Sequence, residues 1–463
     1  MSPPITSPGP ITSPGPITSP GFDSHHPPDP TLIDACVHCG FCLATCPSYR
    51  VIGAETDSPR GRIYQMDAIN EGSIGLSPAT VSHFDSCLGC LACVTACPSG
   101  VQYDQLIEAT RAQVQRNHPR SLWETLLRQA IYRLFPYPRR LRPLLGGAWL
   151  YQKLGLDRLM QSSGLLTHLA PPLAAMTELL PPLTRHDLQP DHYPSLIPAQ
   201  GERRYRVGLV LGCVQRIFAP QINWATIEVL TGNGCEVVIP PAQGCCGALS
   251  HHQGETEQAQ TLAKDLMQQF HQRAQTEGSL PLDAIVTNAS GCGHTLKSYG
   301  SLLAEDPICA AAASDFASSV KDVQEFLAQV GLTATLHPLR SEPLPLVYQD
   351  ACHQLHGQKI QSQPRQLLNQ IPGVTLRDPI DAALCCGSAG IYNLLQPEVA
   401  NELGQQKVSR LLDTQAEAIV SANIGCRMQL LKHLRRGGQD RIPVFHPMEL
   451  LQMSMQGQTV PLS

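Results

Sequence analysis

The stretch CVHCGFCLATCP, residues 36–47, decides the fold of the amino-terminal part of this chain. Its four cysteines follow the spacing C-x2-C-x2-C-x3-C, and a proline follows the last of them. The stretch CLGCLACVTACP, residues 87–98, repeats the spacing and the terminal proline. In such a run three thiolates can bind three corners of a cubane cluster, and the fourth thiolate reaches the other cluster. The two runs therefore predict a ferredoxin-like helical domain with two [4Fe–4S] clusters.

This crossed pattern assigns each of the eight cysteines to one cluster. The first cluster takes Cys36, Cys39, Cys42 and Cys97, and the second takes Cys87, Cys90, Cys93 and Cys46. The alternative is a pair of zinc sites, because zinc also accepts four thiolates. Zinc ligands usually come as two separated pairs, whereas here three consecutive cysteine steps and a proline occur twice. Two adjacent clusters would form an electron relay.

Composition limits the classes of function that fit the chain. The 463 residues carry a formal net charge of −5 and only 15% charged residues, which argues against nucleic-acid binding. The opening residues, MSPPITSPGP, resemble no secretory signal, so we expect a cytoplasmic protein whose 18 cysteines stay reduced. No apolar run approaches the ~18 residues of a spanning helix, so we expect any membrane contact from one side only.

Five segments are predicted along the chain. Residues 1–29, with PITSPG three times, are predicted to be a disordered tail, and residues 30–104 to be the ferredoxin-type domain. Residues 105–204 lack cysteine and space their apolar residues as amphipathic helices do. Eight arginines and one acid, Glu124, lie between positions 111 and 142 of this segment. The segment is therefore predicted to be a helical linker with a solvated basic face, or a docking surface for a partner subunit or anionic lipid.

The remaining residues are predicted to form two copies of one α/β unit, residues 205–335 and 344–463. Three motifs recur in order: YRVGLVLGC and LPLVYQDACH, GCCGALS and ALCCGSAG, AIVTNASGC and AIVSANIGC. Buried strands that alternate with helices predict parallel sheets. The fold class is thus a multi-domain protein with a helical bis-[4Fe–4S] domain, a helical middle segment and duplicated α/β units.

Each copy carries four cysteines in the same order, with Cys-Cys-Gly in the middle. The two sets are Cys213, Cys245, Cys246, Cys292 and Cys352, Cys385, Cys386, Cys426. Because parallel sheets gather ligands at the carboxyl ends of their strands, we expect the four thiols of each copy to share one crevice and to form an additional metal or iron–sulfur site. The alternative is packing of free cysteines as small hydrophobes, which we predict for the unpaired Cys235 and Cys309.

Two histidines near these cysteines are candidates for proton transfer. His353 directly follows Cys352, and His294 lies two residues after Cys292. Either could protonate a substrate or a quinone, complete a metal site, or simply hydrogen-bond the turn. No G-x-G-x-x-G follows a predicted strand, so we expect no flavin or nicotinamide in this chain and hydride chemistry on a partner chain.

The order of these motifs over residues 30–463 resembles the iron–sulfur subunit of glycolate oxidase, also called glycolate dehydrogenase. The stretches SPRGRIYQM, NASGCG, YQDACH, CCGSAGIYN and SANIGC carry the resemblance together with the two cysteine runs. It implies a subunit of an oxidoreductase complex whose FAD-containing partner oxidises glycolate to glyoxylate, and often D-lactate to pyruvate. The acceptor would not be NAD, and the electrons would pass through this chain to an acceptor such as quinone, at the cytoplasmic face of a membrane.

The Cys-Cys-Gly units also resemble those of heterodisulfide reductase subunits, which hold non-cubane clusters and end in C-x-x-C. Here Cys292 is followed by GHT and Cys426 by RMQ, so one ligand is missing from each unit. An ordinary metal site, a smaller cluster and a redox dithiol remain open. The alternative function is therefore a thiol/disulfide oxidoreductase acting at the Cys-Cys-Gly sites.

Overall fold

The computed structural model describes residues 19–156, 160, 171–183, 192–276 and 281–461. Within these ranges the amino-terminal part is helical, further helices follow it, and the carboxyl-terminal part holds two sheets. The predicted combination of helical segments and parallel sheets is confirmed.

Short helices surround the two cysteine runs. Their bounds are Pro30–Asp34, Pro47–Ile52, Pro59–Asn70, Pro78–Asp85, Ala92–Ala96 and Tyr103–Asn117, with a 3₁₀ turn at Glu55–Asp57. Four of these helices begin with proline, whose fixed φ suits the first helical position. Met66, Phe84 and Leu106 form part of their common core, so the helix after the second run packs with the helices between the runs.

The amino-terminal tail is described from residue 19 onward. The prediction of disorder for residues 1–18 lies outside the described residues. Residues 19–29 lie against the helical domain, because the Leu76 amide donates to the Pro20 carbonyl at 2.8 Å and Asp23 accepts from Arg116 at 3.0 Å. Asp23 thus ties this part of the tail to the helix Tyr103–Asn117.

The middle segment contains the helices Leu122–Leu134, Pro138–Lys153 and Pro171–Leu179. Some of its arginines form ion pairs with acidic residues of the same chain. Arg120 pairs with Asp85 at 2.8 Å and Arg128 with Glu124 at 2.9 Å, while Arg133 and Arg139 are exposed. The free basic face is therefore smaller than the arginine count suggests. No helix in the described part of the chain is long and apolar enough to cross a membrane.

The first repeat forms a five-stranded sheet. Its strands are β1 (Leu196–Ile197), β2 (Tyr205–Val210), β3 (Cys235–Val238), β4 (Ala284–Thr287) and β5 (Val320–Asp322), in the order β1-β3-β2-β4-β5. All neighbours are parallel except β1, which runs antiparallel to β3. In the register of the centre, Val207 lies opposite both Val237 and Ala284.

The second repeat forms a four-stranded parallel sheet with the same topology. Its strands are β6 (Leu344–Gln349), β7 (Val374–Arg377), β8 (Ala418–Ser421) and β9 (Val444–Phe445), in the order β7-β6-β8-β9. Leu346 lies opposite both Leu376 and Ala418, as Val207 does in the first sheet. The order β3-β2-β4-β5 is thereby repeated, which agrees with the predicted duplication.

The helices of the two repeats join them into one core. In the first repeat the helices are Gln215–Phe218, Pro220–Gly232, Ala248–His251, Thr256–Thr276, Ser290–Lys297, Tyr299–Leu302, Ala310–Ser319 and Val323–Val330. In the second they are Ser362–Leu368, Tyr392–Leu395, Pro397–Leu412, Ile424–Arg436 and Pro447–Met455, with a π-helical turn at His353–Gly357. Leu209 and Leu346 belong to the same buried cluster, and Gln452 donates to Glu228 at 2.7 Å across the two repeats.

Candidate functional site

One cavity of about 430 Å³ lies at the carboxyl ends of the strands of both sheets. All eight cysteines of the two repeats line it: Cys213, Cys245, Cys246, Cys292, Cys352, Cys385, Cys386 and Cys426. The expected crevice of four thiols in each repeat is therefore present, and the two crevices open into one space.

The four thiols of the first repeat come from three strand ends. Cys213 follows β2, Cys245 and Cys246 follow β3, and Cys292 lies in the helix after β4. The Cys245 and Cys213 sulfurs are 3.2 Å apart. Hydrogen bonds from Cys245 and Cys292 hold the pKa of the Cys246 thiol well below its usual range, because both neighbours stabilise the thiolate. Cys246 is thus the preferred thiolate of its set.

The second repeat reproduces this arrangement. Hydrogen bonds from Cys385 and Cys426 lower the pKa of Cys386, and bonding to Cys352 and Cys386 raises the pKa of Cys385. A glycine follows each pair with φ of +83°, a left-handed conformation that favours glycine. The Cys-Cys-Gly sequence is therefore needed for the tight turn as well as for the sulfurs.

The two sets differ in one buried charge. A Cβ on Gly247 would face the Ala259 carbonyl and a Cβ on Gly387 the Ala400 carbonyl, so these alanines occupy equivalent places. About two helical turns after these alanines, the first repeat has the buried Leu266 and the second has the buried Lys407. Burial lowers the pKa of Lys407, and the thiols of the second set counteract this effect. The second set thus has a buried ammonium beside its thiols where the first has an apolar side chain.

The ferredoxin-type runs turn their backbone in the same way. In both runs the residues on either side of the second cysteine have a left-handed backbone conformation. These are His38 and Gly40 beside Cys39, and Gly89 and Leu91 beside Cys90. One of the two left-handed positions is glycine in each run: Gly40 after Cys39 in the first, and Gly89 before Cys90 in the second. The two runs therefore share a backbone conformation as well as a spacing.

The structure places cysteines of the two runs near one another, and the crossed assignment to two clusters stays a prediction. Burial raises the pKa of Cys36, and the nearby charges of Cys97 and Cys39 raise it further. Burial also raises the pKa of Cys93, with further contributions from Cys90, Cys87 and Cys46. Cys97 thus lies near Cys36 of the first run, and Cys46 lies near Cys93 of the second run. Cys39 is exposed, whereas Cys46, Cys87, Cys90 and Cys93 are buried.

Two buried arginines stabilise negative charge at the second group. Burial alone would raise the pKa of Cys87, but Arg62 and Arg111 outweigh it and the pKa is lowered. The Gly89 amide at 3.4 Å and the Tyr103 hydroxyl at 3.7 Å donate to the same sulfur. Such N–H and O–H contacts to sulfur are among the factors that tune the potential of iron–sulfur clusters.

The second ferredoxin-type group lies against the cavity. Cys87 lines it together with the repeat cysteines, and Cys90 packs in one cluster with Cys385 and Cys352. The His353 ring lies 2.9 Å from the Gly89 carbonyl, and the Tyr392 hydroxyl donates to the Ser86 carbonyl at 3.1 Å. The loop of the second run is therefore bound directly to the second repeat.

The two candidate histidines form a group with a third one. The ring of His353 lies 4.8 Å from that of His294 and 4.7 Å from that of His252, between centroids. Burial holds the pKa of His294 at about 4 and that of His353 well below its usual value, so both rings are neutral near pH 7. The sequence alone does not single out His252 or its partner Glu108. The pair His251–His252 directly after GCCGALS is the signal that could have found them.

The donor set of each group fits an iron–sulfur cluster. Each group offers four thiols, and several of these thiols are buried. In the second ferredoxin-type group, the guanidinium groups of Arg62 and Arg111 offset the negative charge of the thiolates. Across the ranges that the structure describes, no cluster of three or more His, Cys, Asp or Glu side chains is arranged around a single metal ion.

Comparisons with protein-family models cover most of the chain. Residues 32–101 match a "4Fe-4S dicluster domain", and residues 123–180 match "Glycolate oxidase iron-sulfur subunit, linker region". Residues 207–297 and 346–431 each match a "Cysteine-rich domain". The two matches of the last model lie within the two predicted repeats.

Two known proteins show the same similarity over about nine-tenths of the chain. It is 37% identical to the "Probable glycolate oxidase iron-sulfur subunit" of Bacillus subtilis (strain 168), over 90% of this chain and 92% of that protein. It is 32% identical to the "Glycolate oxidase iron-sulfur subunit" of Escherichia coli (strain K12), over 92% and 95%. It is 29% identical to one subunit of the "Fumarate reductase (CoM/CoB)" of Methanothermobacter marburgensis, over 54% of this chain and 46% of that protein.

Proposed function

The chain belongs to the family of glycolate oxidase iron–sulfur subunits, and from this premise we propose that it conducts electrons between a flavin-bearing partner and an acceptor such as quinone. The partner subunit oxidises glycolate to glyoxylate, and D-lactate to pyruvate where it accepts that acid. Two [4Fe–4S] clusters, held by Cys36, Cys39, Cys42, Cys97 and by Cys87, Cys90, Cys93, Cys46, supply one-electron transfer when bound.

One observation carries this proposal. Cys87 of the second ferredoxin-type group and all eight cysteines of the repeats line the same cavity. The second ferredoxin-type group therefore adjoins the repeat cysteines, and Cys42 of the first group lies near Cys93 of the second. Electron transfer needs such short steps between neighbouring centres. We propose that the repeat cysteines hold a further iron–sulfur centre.

The first cysteine run is the proposed point at which electrons enter the chain. Val37 and Phe41 flank the exposed Cys39, and both side chains are 67% exposed. Exposed apolar side chains beside a redox group suit the surface of a partner protein. The basic residues Arg133 and Arg139 of the middle segment suit an anionic membrane surface on the cytoplasmic side.

Buried cationic side chains lie beside the second ferredoxin-type group and beside the second Cys-Cys-Gly set. Arg62 and Arg111 stabilise the negative thiolate of Cys87, and Lys407 lies beside the second Cys-Cys-Gly set. Burial of Cys87, Cys90 and Cys93 excludes water from the second group. Burial alone opposes added negative charge, but the fixed positive charges favour the reduced, more negative state of a bound cluster, and the dry surroundings strengthen their attraction.

The experiment uses the chain assembled with its flavoprotein under anaerobic conditions. We expect glycolate to reduce the flavin and then the iron–sulfur EPR signals of the wild type. In Cys90→Ser we expect glycolate still to reduce the flavin, but the iron–sulfur centres beyond the second ferredoxin-type group to stay oxidised. The control Cys309→Ser, which lies outside every cysteine group, should behave as the wild type. Absence of iron and sulfide from the wild type, or unchanged electron transfer in Cys90→Ser, would contradict the proposal.

Metal analysis tests the further centre separately. We expect Cys385→Ala to contain less iron than the wild type while the EPR signals of the two [4Fe–4S] clusters persist. Eight irons in both proteins would equal the content of the two [4Fe–4S] clusters alone. That result would contradict a further centre and confine the clusters to the amino-terminal domain.

A thiol/disulfide oxidoreductase is the second candidate. The 3.2 Å distance between the Cys213 and Cys245 sulfurs favours it, because little movement would join them. Turnover of a disulfide by the isolated chain, lost in Cys245→Ser and kept in Cys309→Ser, would favour this candidate.

A further inference from the structure

The cavity has an apolar wall in addition to its cysteines. Leu141, Leu144 and Leu145 of the helix Pro138–Lys153 line it, with Phe135 and Met176 from neighbouring segments. The whole cavity measures about 430 Å³. The proposed iron–sulfur centre would occupy its cysteine-lined part, so a ligand would use the part beside the apolar wall. Leu144 is 50% exposed, so the apolar wall continues to the protein surface. Such a wall suits a flat, apolar ligand that enters from outside.

Polar groups line the same cavity and could orient such a ligand. Arg111 and His252 both line it, and the His252 Nδ1 atom lies 3.5 Å from Glu108 Oε1. The Glu108 side chain is 27% exposed, so this pair connects the cavity to the surface. The Ser290 side chain is buried in the cavity wall, and its hydroxyl has no hydrogen-bond partner among the described residues. A carbonyl oxygen of a ligand would satisfy it.

We propose that this cavity binds a lipid-soluble quinone and is the site where it is reduced, an inference that rests on the proposed function. Oxidation of a 2-hydroxy acid to a 2-oxo acid releases two electrons and two protons. Reduction of a quinone to a quinol takes up two electrons and two protons and forms two O–H bonds, so the two half-reactions balance. The thiol-lined part of the cavity adjoins the electron donors, and the pair Glu108–His252 offers a route for protons.

The outer surface of the same helix fits this ligand. Leu150 and Leu154 are exposed at its carboxyl end, and Arg139, Arg140 and Lys153 are exposed on the same segment. Apolar and basic side chains together suit the surface of an anionic bilayer, where such quinones dissolve. The cavity therefore lies beside a face from which a lipid-soluble molecule can enter.

The test fills the cavity without touching the cysteines. Ala148 lines the cavity and is only half-buried, so we expect Ala148→Trp to fold and to block the apolar wall. Ala130 lies on the neighbouring helix and does not line the cavity, so Ala130→Trp is the matched control. The assembled complex is assayed with glycolate and either a soluble dye or a short-chain quinone. In Ala148→Trp we expect the KM for quinone to rise at least about tenfold, which is about 1.4 kcal/mol, while dye reduction and iron content stay unchanged.

A photoreactive azidoquinone gives a second readout that needs no turnover. We expect it to label peptides that contain residues 134–148 or 176–180 of the wild type, and Ala148→Trp to lose this labelling. Unchanged quinone kinetics in Ala148→Trp, or labelling confined to other segments, would overturn the quinone site. If glycolate reduces neither dye nor quinone in the wild type, the proposed function fails, and the labelling still decides whether the cavity binds quinone.

Discussion

Arg62 shows how a single buried side chain holds the amino-terminal domain together. Its side chain is fully buried, and it donates to the His83 carbonyl at 2.6 Å and to the Ser86 hydroxyl at 2.8 Å. Asp57, also buried, lies 3.5 Å from the guanidinium. The sequence SPRGRIYQM places Arg62 in a helix, but only the tertiary contacts explain why an arginine is buried there.

Substitution of Arg62 should be far more damaging than that of a surface arginine. We expect Arg62→Met to lower the free energy of unfolding by about 3–5 kcal/mol, because it leaves Asp57 buried without its cation. Arg60→Met should cost about 1 kcal/mol or less, because its pair with Glu55 is partly exposed. Urea unfolding of both variants measures the difference, and equal losses would contradict it.

His446 predicts a dependence of stability on acid pH. Burial holds its pKa at about 3, so the unfolded chain, with a pKa near 6.5, binds a proton that the folded chain does not. The contribution is fully present above pH 6.5 and is lost as the pH falls from 6.5 towards 3, by up to about 1.4 kcal/mol per pH unit. We expect urea midpoints at pH 6.5, 5.5 and 4.5 to fall less steeply in His446→Asn, which keeps an N-cap acceptor. Parallel slopes in the two proteins would exclude this role.

At the scale of elements, the two Cys-Cys-Gly turns allow a matched comparison. An alanine at either position would be left-handed, which costs about 1–2 kcal/mol. The new Cβ at Gly387 would lie 2.5 Å from the Ala400 carbonyl oxygen, but at Gly247 it would lie 3.0 Å from that of Ala259. We therefore expect Gly387→Ala to lower the thermal midpoint more than Gly247→Ala.

Gly438→Ala is the control for backbone strain alone. Gly438 has φ of +66°, and nothing lies within 4 Å of its added Cβ. Its loss of stability should therefore be the smallest of the three, and a loss as large as that of Gly387→Ala would show that the clash with Ala400 contributes nothing.

The helix Pro397–Leu412 gives the second repeat a charge that the first repeat lacks at the equivalent place. We expect Lys407→Leu, which copies Leu266 of the first repeat, to make the proposed second-repeat centre harder to reduce, by about 59 mV for a tenfold change in one-electron affinity. The thermal midpoint should fall, because the Ala382 carbonyl and the thiols of the second set lose their buried cation. Potentiometric EPR checks the shift, with Leu266→Met as the control. A potential that stays the same would assign Lys407 to its hydrogen bond with the Ala382 carbonyl alone.

At the scale of the whole molecule, Arg111 joins the ferredoxin-type domain to the repeats. It is buried, it donates to the His252 carbonyl at 2.8 Å, and it also donates to the Cys87 carbonyl. We expect Arg111→Met to leave both carbonyls without this donor, at a cost of about 1.5–3 kcal/mol for each charged hydrogen bond. Hydrogen–deuterium exchange should therefore rise in residues 86–91 and 246–253 together.

Arg50→Met is the matched control for this interface. Arg50 also bridges the two parts, to Asp381 at 2.9 Å, but both side chains are about one-third exposed. Its loss should leave exchange in residues 86–91 nearly unchanged. If Arg50→Met and Arg111→Met raise exchange equally, burial is not what makes the Arg111 contact strong.

The sequence by itself determined the features whose causes are local. The C-x2-C-x2-C-x3-C-P runs, the buried strands at residues 205–210 and 344–349 and the repeated Cys-Cys-Gly turns depend on spacing and on backbone requirements within a few residues. The sequence does not predict the short strands β1, β5, β7 and β9. Three of them have only two or three residues, and β7 is only partly buried, so none carries the buried apolar run of β4 and β8.

Only the tertiary structure decided what these motifs share. The cavity combines cysteines from both repeats with Cys87, and it adds His252, Arg111 and the apolar wall of the middle helices. These residues lie up to several hundred positions apart, and no spacing rule relates them. Their proximity depends on how the helical domain packs onto the carboxyl ends of two parallel sheets, because hydrogen bonds such as those of Arg111 and His353 join residues of separate elements.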